Sequence, residues 1–559
     1  MAVLSRLSPS LSFGATLSSL PELLAKWWGV AAVGGGALYF ITKVVYRRFF
    51  HPLAHVPGPF LPAVTRLYAW YFNVPREGKF YKEIERLHSV YGMYDRRQEG
   101  HQQEYMKANQ DNETDSQMIG PIVRITPDEV HLSNTKYYDI VYGVKSDFYK
   151  DPRFYGALGI DTATFATISN DLHRRRRAAL NPFFSRRKVL EMEDIVHSKV
   201  DKLCRRVSAD RVTGQPTNLH AAFRAISVDT ITDYAFDECW DQLDADDLGE
   251  WFSEMVRGSG PMFWTFQAFP SFRDPIQGLP ESVAKRMSPA VADFLGCQVR
   301  TRQQVQVVQA RIDQGIKPKR LTVFHQLLDP NASNDHVVPT VNDLVDEAFA
   351  ICTAAADTTG NAMTMAAFHT VTNSAIYENV IRELREAFPD PTVELSFTEL
   401  EKLPYLTGVI KEGQRLSYGV ISRLPRVAPE GGAEIEGFYL PEGTVVSMSS
   451  WMMHHDPVAF PDPEVFDPTR WTDPSTFHER EKCLVSFSRG RRMCIGHNLA
   501  WCEMYLTLGT LFRRFEDLRP FEVTAEDMVY EDYFSAFNPP NKKKFKVVGG
   551  GVEDSFIHV

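Results

Sequence analysis

Apolar side chains recur every three to four positions along seven stretches of the chain: residues 77–91, 186–207, 217–236, 282–312, 340–373, 376–387 and 399–416. That spacing gathers them on one face of a helix, so each stretch predicts a helix packed against a core. Short runs such as IVRITP and VHLS read instead as strands bounded by turns. The predicted body is mainly α with small β-sheets. Residues 27–46, WWGVAAVGGGALYFITKVVY, differ in being apolar on every face, with paired Trp at one end and Tyr46-Arg47-Arg48 at the other. They match the roughly 20 residues that cross a bilayer. No small-residue cleavage site accompanies them, so a single uncleaved transmembrane anchor is expected rather than a signal peptide or a buried helix.

Lys43, Arg47 and Arg48 outweigh the basic residues on the other side, Arg6 and Lys26. The positive-inside bias therefore places residues 1–26 in the lumen and the bulk of the chain in the cytosol, as expected at the endoplasmic reticulum membrane. Residues 47–60 form a proline-rich hinge in which Pro57-Gly58-Pro59 cannot continue a helix. Residues 61–559 then read as one large globular body. Within it, residues 93–119 are polar and lack hydrophobic period. They are expected to be a disordered insertion or a retained intron, whose excision would keep frame and join Tyr91-Gly92 to Pro121.

Composition narrows the class. With 44% hydrophobic and 24% charged residues and a net charge of -10, the chain is globular and gives no general reason to bind nucleic acid. Its seven cysteines are odd in number and contain no CxxC pair, which argues against a disulfide framework or a zinc site. The cytosolic body is expected to be reduced.

One cysteine stands apart. In FSRGRRMCIGHNLA, Cys494 directly precedes an apolar helical run, where backbone N–H groups and a helix N-terminus can hold it as a thiolate. Such a sulfur suits an iron ligand. Gly490 and Gly496 would let the backbone approach a flat macrocycle, Phe487 would cover the sulfur, and Arg492 would pair with a propionate. Cys483 and Cys502 lack this setting and read as packing residues.

The run resembles the haem-binding loop of cytochromes P450, FxxGxRxCxGxxxA, at every marked position. Glu412-Gly-Gln-Arg415 resembles the family's ExxR helix motif, and Ala354-Ala-Ala-Asp357-Thr358-Thr359 its oxygen-activating segment, with Ala355 where Gly is usual. The resemblance implies the cytochrome P450 fold, preceded here by the membrane helix, and haem b with Cys494 as the iron's ligand. It implies that Glu412, Arg415 and Arg470 form a buried brace beneath the haem, and that Asp357 and Thr358 deliver protons during O–O cleavage. His173 and Arg177 occupy the two positions of the WxxxR motif, with His replacing Trp, and are expected to bind a propionate; so is Arg423. The exposed basic run Arg174–Arg176 would meet an acidic reductase domain.

The wider wording of HRRRRAALNPFFS, RLSYGVISRLPRVAP and MHHDP is most similar to fungal microsomal enzymes of secondary metabolism, of the trichodiene oxygenase type. That similarity implies a monooxygenase fed with electrons from NADPH by cytochrome P450 reductase, with cytochrome b5 as a second donor. Its substrate would be an apolar terpenoid or polyketide-type small molecule, and membrane lipid a further partner. The alternatives are a haem-thiolate isomerase or dehydratase that uses no O2, and a non-catalytic haem protein. Substrate-facing segments are expected around Phe154-Tyr155, Met262-Phe263-Trp264, the helix before Ala354, residues 418–422 and Tyr533-Phe534.

Overall fold

A computed structural model describes residues 20–95, 121–236, 238–287, 289–318 and 320–549. Apart from residues 93–95, the polar segment 93–119 lies outside them. Helix α1, Leu20–Val45, continues into one π-helical turn, Tyr46–Phe50. The membrane span expected at 27–46 is therefore helical. Among the described residues, however, no helix is long and apolar enough to cross a membrane. The two tryptophans, the glycine run at 34–36, Thr42 and Lys43 dilute the apolar content of this segment.

The hinge is pinned to the body. Arg124 donates to the carbonyls of Arg47 (3.1 Å), Leu53 (3.2 Å) and Pro127 (2.6 Å), and its own N–H donates to Pro57 O at 2.8 Å. Gly58 packs so tightly here that a Cβ would lie 2.6 Å from Arg124 O.

Helix α2 (Phe80–Asp95) leads to strands β1 (Ile122–Thr126), β2 (Glu129–Leu132) and β3 (Tyr149–Lys150). Helices α3 (Asn170–Leu180), α4 (Leu219–Phe236), α5 (Glu250–Ala268), α6 (Pro289–Asp313), α7 (Val341–Thr372) and α8 (Pro404–Ser417) follow. Strands β4 (Arg426–Val427) and β5 (Val445–Ser447) precede helix α9 (His497–Arg514), and the hairpin β6–β7 (Glu531–Tyr533, Ser535–Phe537) comes last. The helix-period stretches are thus realised as helices, their ends shifted by a few residues. Helix α4 is buried on every face except at Asp233, which fits its nearly unbroken apolar and small-residue sequence. It lies against α7, whose 32 residues span about 48 Å and start at a Thr340–Asp343 capping box. Leu344, Met363, Leu406, Ile410, Leu508 and Phe512 join α7, α8 and α9 in one continuous core.

The larger sheet runs β1-β2-β5-β4-β3. Strand β2 pairs parallel with β5, and the other pairings are antiparallel. In this register Lys150 lies directly opposite Arg426.

A histidine ties α8 to the segment before α9. Val485 N–H donates to His454 Nε2 at 3.0 Å, so Nδ1 carries the proton donated to Arg415 O at 2.7 Å. Burial holds the pKa of His454 down at about 3. In the unfolded chain it titrates near ~6.5, so at intermediate pH the unfolded state binds a proton that the native state excludes. Stability is expected to fall as pH drops below about 6.5. Thermal melts followed by circular dichroism check this: His454→Gln should flatten the slope between pH ~6.5 and ~5.

Candidate active site

The loop around Cys494 is closed by its own backbone. Cys494 N–H donates to Phe487 O at 2.9 Å, and Met493 N–H to Gly490 O at 3.1 Å. Gly490 has φ +66°, and a Cβ there would lie 2.3 Å from Tyr142 O and 2.7 Å from Gly143 O. The neighbouring backbone alone therefore demands glycine here, and Gly490 is not in the lining of the cavity described below. Gly496 behaves differently. It lines that cavity, and a Cβ on it would meet nothing within 4 Å, so its bare face is turned to open space.

Cys494 is the one exposed cysteine of the seven, and the space it opens onto is an internal cavity of about 360 Å³. Burial pushes its thiol up, while the Gly496 N–H and Arg177 pull it down. Burial drives Cys204 to about 11 and Cys297 and Cys483 to about 12.

Beside the sulfur the cavity wall is cationic, formed by Lys150, His173, Arg177, Arg426 and Arg492. Arg492 donates to Thr167 O (2.6 Å), Ile168 O (2.8 Å) and Asn170 Oδ1 (2.9 Å), and Arg177 to Met493 O at 2.6 Å. Arg426 donates to Tyr155 Oη at 2.6 Å, and Lys150 to Phe165 O. Among the described residues none of the five has a carboxylate partner. Burial and then mutual repulsion push His173 down to about 2 and Arg492 to about 10, and hold Lys150 well below the usual lysine range. Lys150 and Arg426, opposed in register, would repel each other without a shared anion. A group carrying two carboxylates fits this wall.

Arg423 is not part of it. Its guanidinium is 2% exposed and donates to both oxygens of Glu129, at 2.6 and 3.2 Å, an internal ion pair away from the cavity lining. The sequence assigned an anion-binding role to Arg423, but its guanidinium is taken up by Glu129, and it is Arg426 that lines the cavity.

The facing wall is α7, helical without interruption through Ala355. Ala354, Ala355 and Thr358 line the cavity, and the Thr358 hydroxyl donates to Ala354 O at 2.8 Å. Asp357 points elsewhere. Its Oδ1 accepts from Arg224 Nε at 2.9 Å and Ser253 Oγ at 3.3 Å, its Oδ2 is buried without a partner, and it borders a small separate pocket with Glu254, Arg257 and Lys544. Burial raises its pKa against the pull of Arg224. The two residues predicted to act together are thus on different faces of one helix.

Below the loop, Glu412 and Arg415 are fully buried and joined by two hydrogen bonds, Nε–Oε1 at 2.8 Å and Nη2–Oε2 at 2.7 Å. Glu412 also accepts from Trp471 Nε1 (2.9 Å) and Asp467 N–H (3.0 Å), while Arg470 Nε approaches to 3.8 Å. Arg415 continues to the carbonyls of Pro463 (2.5 Å) and Val465 (2.9 Å).

Comparison with known proteins places this geometry. The family model for cytochrome P450 matches residues 95–547. The chain belongs to the cytochrome P450 family. Conidiogenone synthase PchP450 of Penicillium rubens is 34% identical over 540 residues, covering 96% of this chain and 99% of its own. The cytochrome P450 monooxygenase TRI4 of Trichoderma arundinaceum is 33% identical over 504 residues, covering 89% and 90%. Tryptophan 6-hydroxylase fscE of Fusarium equiseti is 33% identical over 478 residues, covering 85% and 88%. The protein is a P450 monooxygenase of the fungal secondary-metabolite group, and its cofactor is the family's haem with a cysteine thiolate on the iron.

The substrate chamber of this P450 is mostly apolar. Tyr155, Met262, Phe263, Val420 and Phe534 line it as the sequence suggested, but Phe154 and Trp264 are buried behind them in the aromatic core. Phe266, Met255 and Phe294 join the lining. Lys150 and Arg426 line the cavity although the sequence reading gave neither a site role. Their only signal was a cation within each of two short strand-like runs, SDFYKD and RLPRVAP, whose pairing is long-range.

Proposed function

We propose that Cys494 is the thiolate ligand of haem b, and that the enzyme inserts one oxygen atom from O2 into an apolar terpenoid or polyketide-type intermediate. The observation that carries this is the single cavity that has an open sulfur, an unpaired cationic wall and an apolar roof. When bound there, haem supplies the activation of O2 by electrons from NADPH through cytochrome P450 reductase, with cytochrome b5 as a second donor. Arg177, Arg426, Arg492, Lys150 and His173 hold its carboxylates, and Gly496 leaves room for its edge. Phe487, at the cavity floor, covers the sulfur. Thr358 offers its hydroxyl oxygen to a proton donor at the oxygen side. Asp357, held by Arg224 on another face of the helix, stays outside the cavity and braces α7 behind Thr358. The apolar lining binds the substrate and excludes water.

Thr358→Ala is expected to keep NADPH consumption while diverting most of it to hydrogen peroxide, read as a fall of roughly tenfold or more in product per NADPH. Arg426→Ala is expected to lower haem retention during gel filtration. Arg423→Ala should lower the melting temperature through the stranded Glu129 and leave the haem environment of the folded fraction intact.

Membrane attachment is part of the proposal. Helix α1 and the exposed side chains Phe49, Phe50, Phe60, Leu61 and Tyr71 form an apolar belt next to Arg47 and Arg48, suited to the endoplasmic reticulum membrane with the catalytic body in the cytosol. Metabolite comparison between a deletion strain and its parent under 18O2 tests the function. Accumulation of an apolar precursor, with a singly labelled product in the parent, supports it. Unlabelled product, or product formed without O2, would favour the isomerase reading.

A further inference from the structure

Helical periodicity puts Glu347, Ile351, Ala354 and Thr358 on one stripe of α7, at steps of four, three and four residues, and all four line the cavity. Glu347 is the far end of that stripe, about 12 Å along the axis from Ala355. It is 8% exposed, and its Oε2 accepts from Thr164 N–H at 2.6 Å. Oε1 takes no hydrogen bond from the described residues. The loop that Glu347 touches is already held by its neighbour: Asp346 accepts from both Thr162 N–H (3.1 Å) and Thr162 Oγ1 (2.6 Å). Glu503, the other carboxylate of the lining, accepts from Ser227 Oγ at 2.7 Å on the far side, in α9. Glu347 is thus a largely buried carboxylate, held on one side by Thr164, that opens onto the end of an apolar chamber.

We infer that Glu347 is a specificity residue that accepts a hydrogen bond from a hydroxyl group on the substrate, roughly 10 Å from the carbon to be oxidised. This rests on the oxygenation site proposed at Cys494. A substrate carboxylate would be repelled by Glu347. An ammonium group would lose its hydration at an otherwise apolar end of the chamber, which a single carboxylate does not readily offset, so a neutral donor is the better match. The substrate would then be an already oxygenated apolar skeleton. A preceding hydroxylation, or a cyclisation ended by water, must supply it.

Soret-shift titration of the full-length haem-loaded enzyme tests this with three pairs that differ by one hydroxyl: cedrol and cedrane, borneol and bornane, testosterone and androst-4-en-3-one. At least one hydroxylated member should bind about tenfold more tightly than its partner, and Glu347→Leu should erase that preference without weakening the deoxy ligand. Glu347→Gln, which keeps an acceptor for Thr164 N–H, should weaken it about threefold and decides the matter if Glu347→Leu does not fold. Equal binding within every pair, or a preference unchanged in the variants, would overturn the inference; an ordered water alone then satisfies Oε1. A wild-type enzyme without the thiolate carbon monoxide band would instead refute the Cys494 reading.

Discussion

Cys494→Ser abolishes turnover and the thiolate signature of the haem in the expected result, a loss to background. Serine keeps the backbone bond from residue 494 to Phe487 O, so the loop should still close. What it removes is the soft, electron-rich sulfur that opens onto the cavity. The six other cysteines offer no substitute, since five are buried and Cys239 lies outside the cavity lining. The contrast with Cys502→Ser makes the test specific. Cys502 sits eight positions on in α9, in the apolar core, and its replacement should cost stability alone. Activity and absorption spectra of both purified variants, made in parallel, read the difference.

Glu412→Ala is expected to prevent accumulation of folded, haem-loaded protein. The carboxylate answers two N–H groups of Arg415, the Trp471 indole and the Asp467 amide, all in a region closed to water. Removing it leaves the Arg415 guanidinium buried and uncompensated, at a cost of about 3–5 kcal/mol. That is a large share of the roughly 5–15 kcal/mol by which a domain is stable. Arg415→Ala should act similarly and also free the Pro463 and Val465 carbonyls. Arg470→Ala should be much milder, because its Nε stands 3.8 Å from Glu412 without a hydrogen bond. Urea denaturation and haem content per chain rank the three.

Much of this was legible in the sequence, because its causes are local. Period 3.6 marks α7 and α8, and the i, i+3 spacing of Glu412 and Arg415 fixes their pairing before any tertiary contact. Cys494 announces itself through the residues within one loop. What escaped depends on strands that meet across hundreds of residues. The different surroundings of Arg423 and Arg426 are decided by the register of β3, β4 and β5, which sets Arg426 against Lys150, while Arg423 pairs with Glu129. Three residues apart in a sharply twisted segment, the two arginines look alike in sequence. The close approach at Gly490 was hidden for a related reason: the backbone it must clear, Tyr142–Gly143, lies far away in the chain. Asp357 and Thr358 are adjacent, yet a helix turns consecutive side chains by about 100°, which sends one to the cavity and the other to Arg224. His454, which links Arg415 to Val485, carries no local signal at all.

The apolar character of residues 27–46 was visible, but among the described residues no helix is long and apolar enough for a span, and glycine and tryptophan contribute little hydropathy here.

The reduced carbon monoxide difference spectrum of the full-length protein bears most directly on the central claim, a haem held by the Cys494 thiolate. The account predicts the band at the wavelength that gives the family its name, present in the wild type and absent in Cys494→Ser. Haem incorporated without that band in the wild type, or the same band surviving in the serine variant, would contradict it.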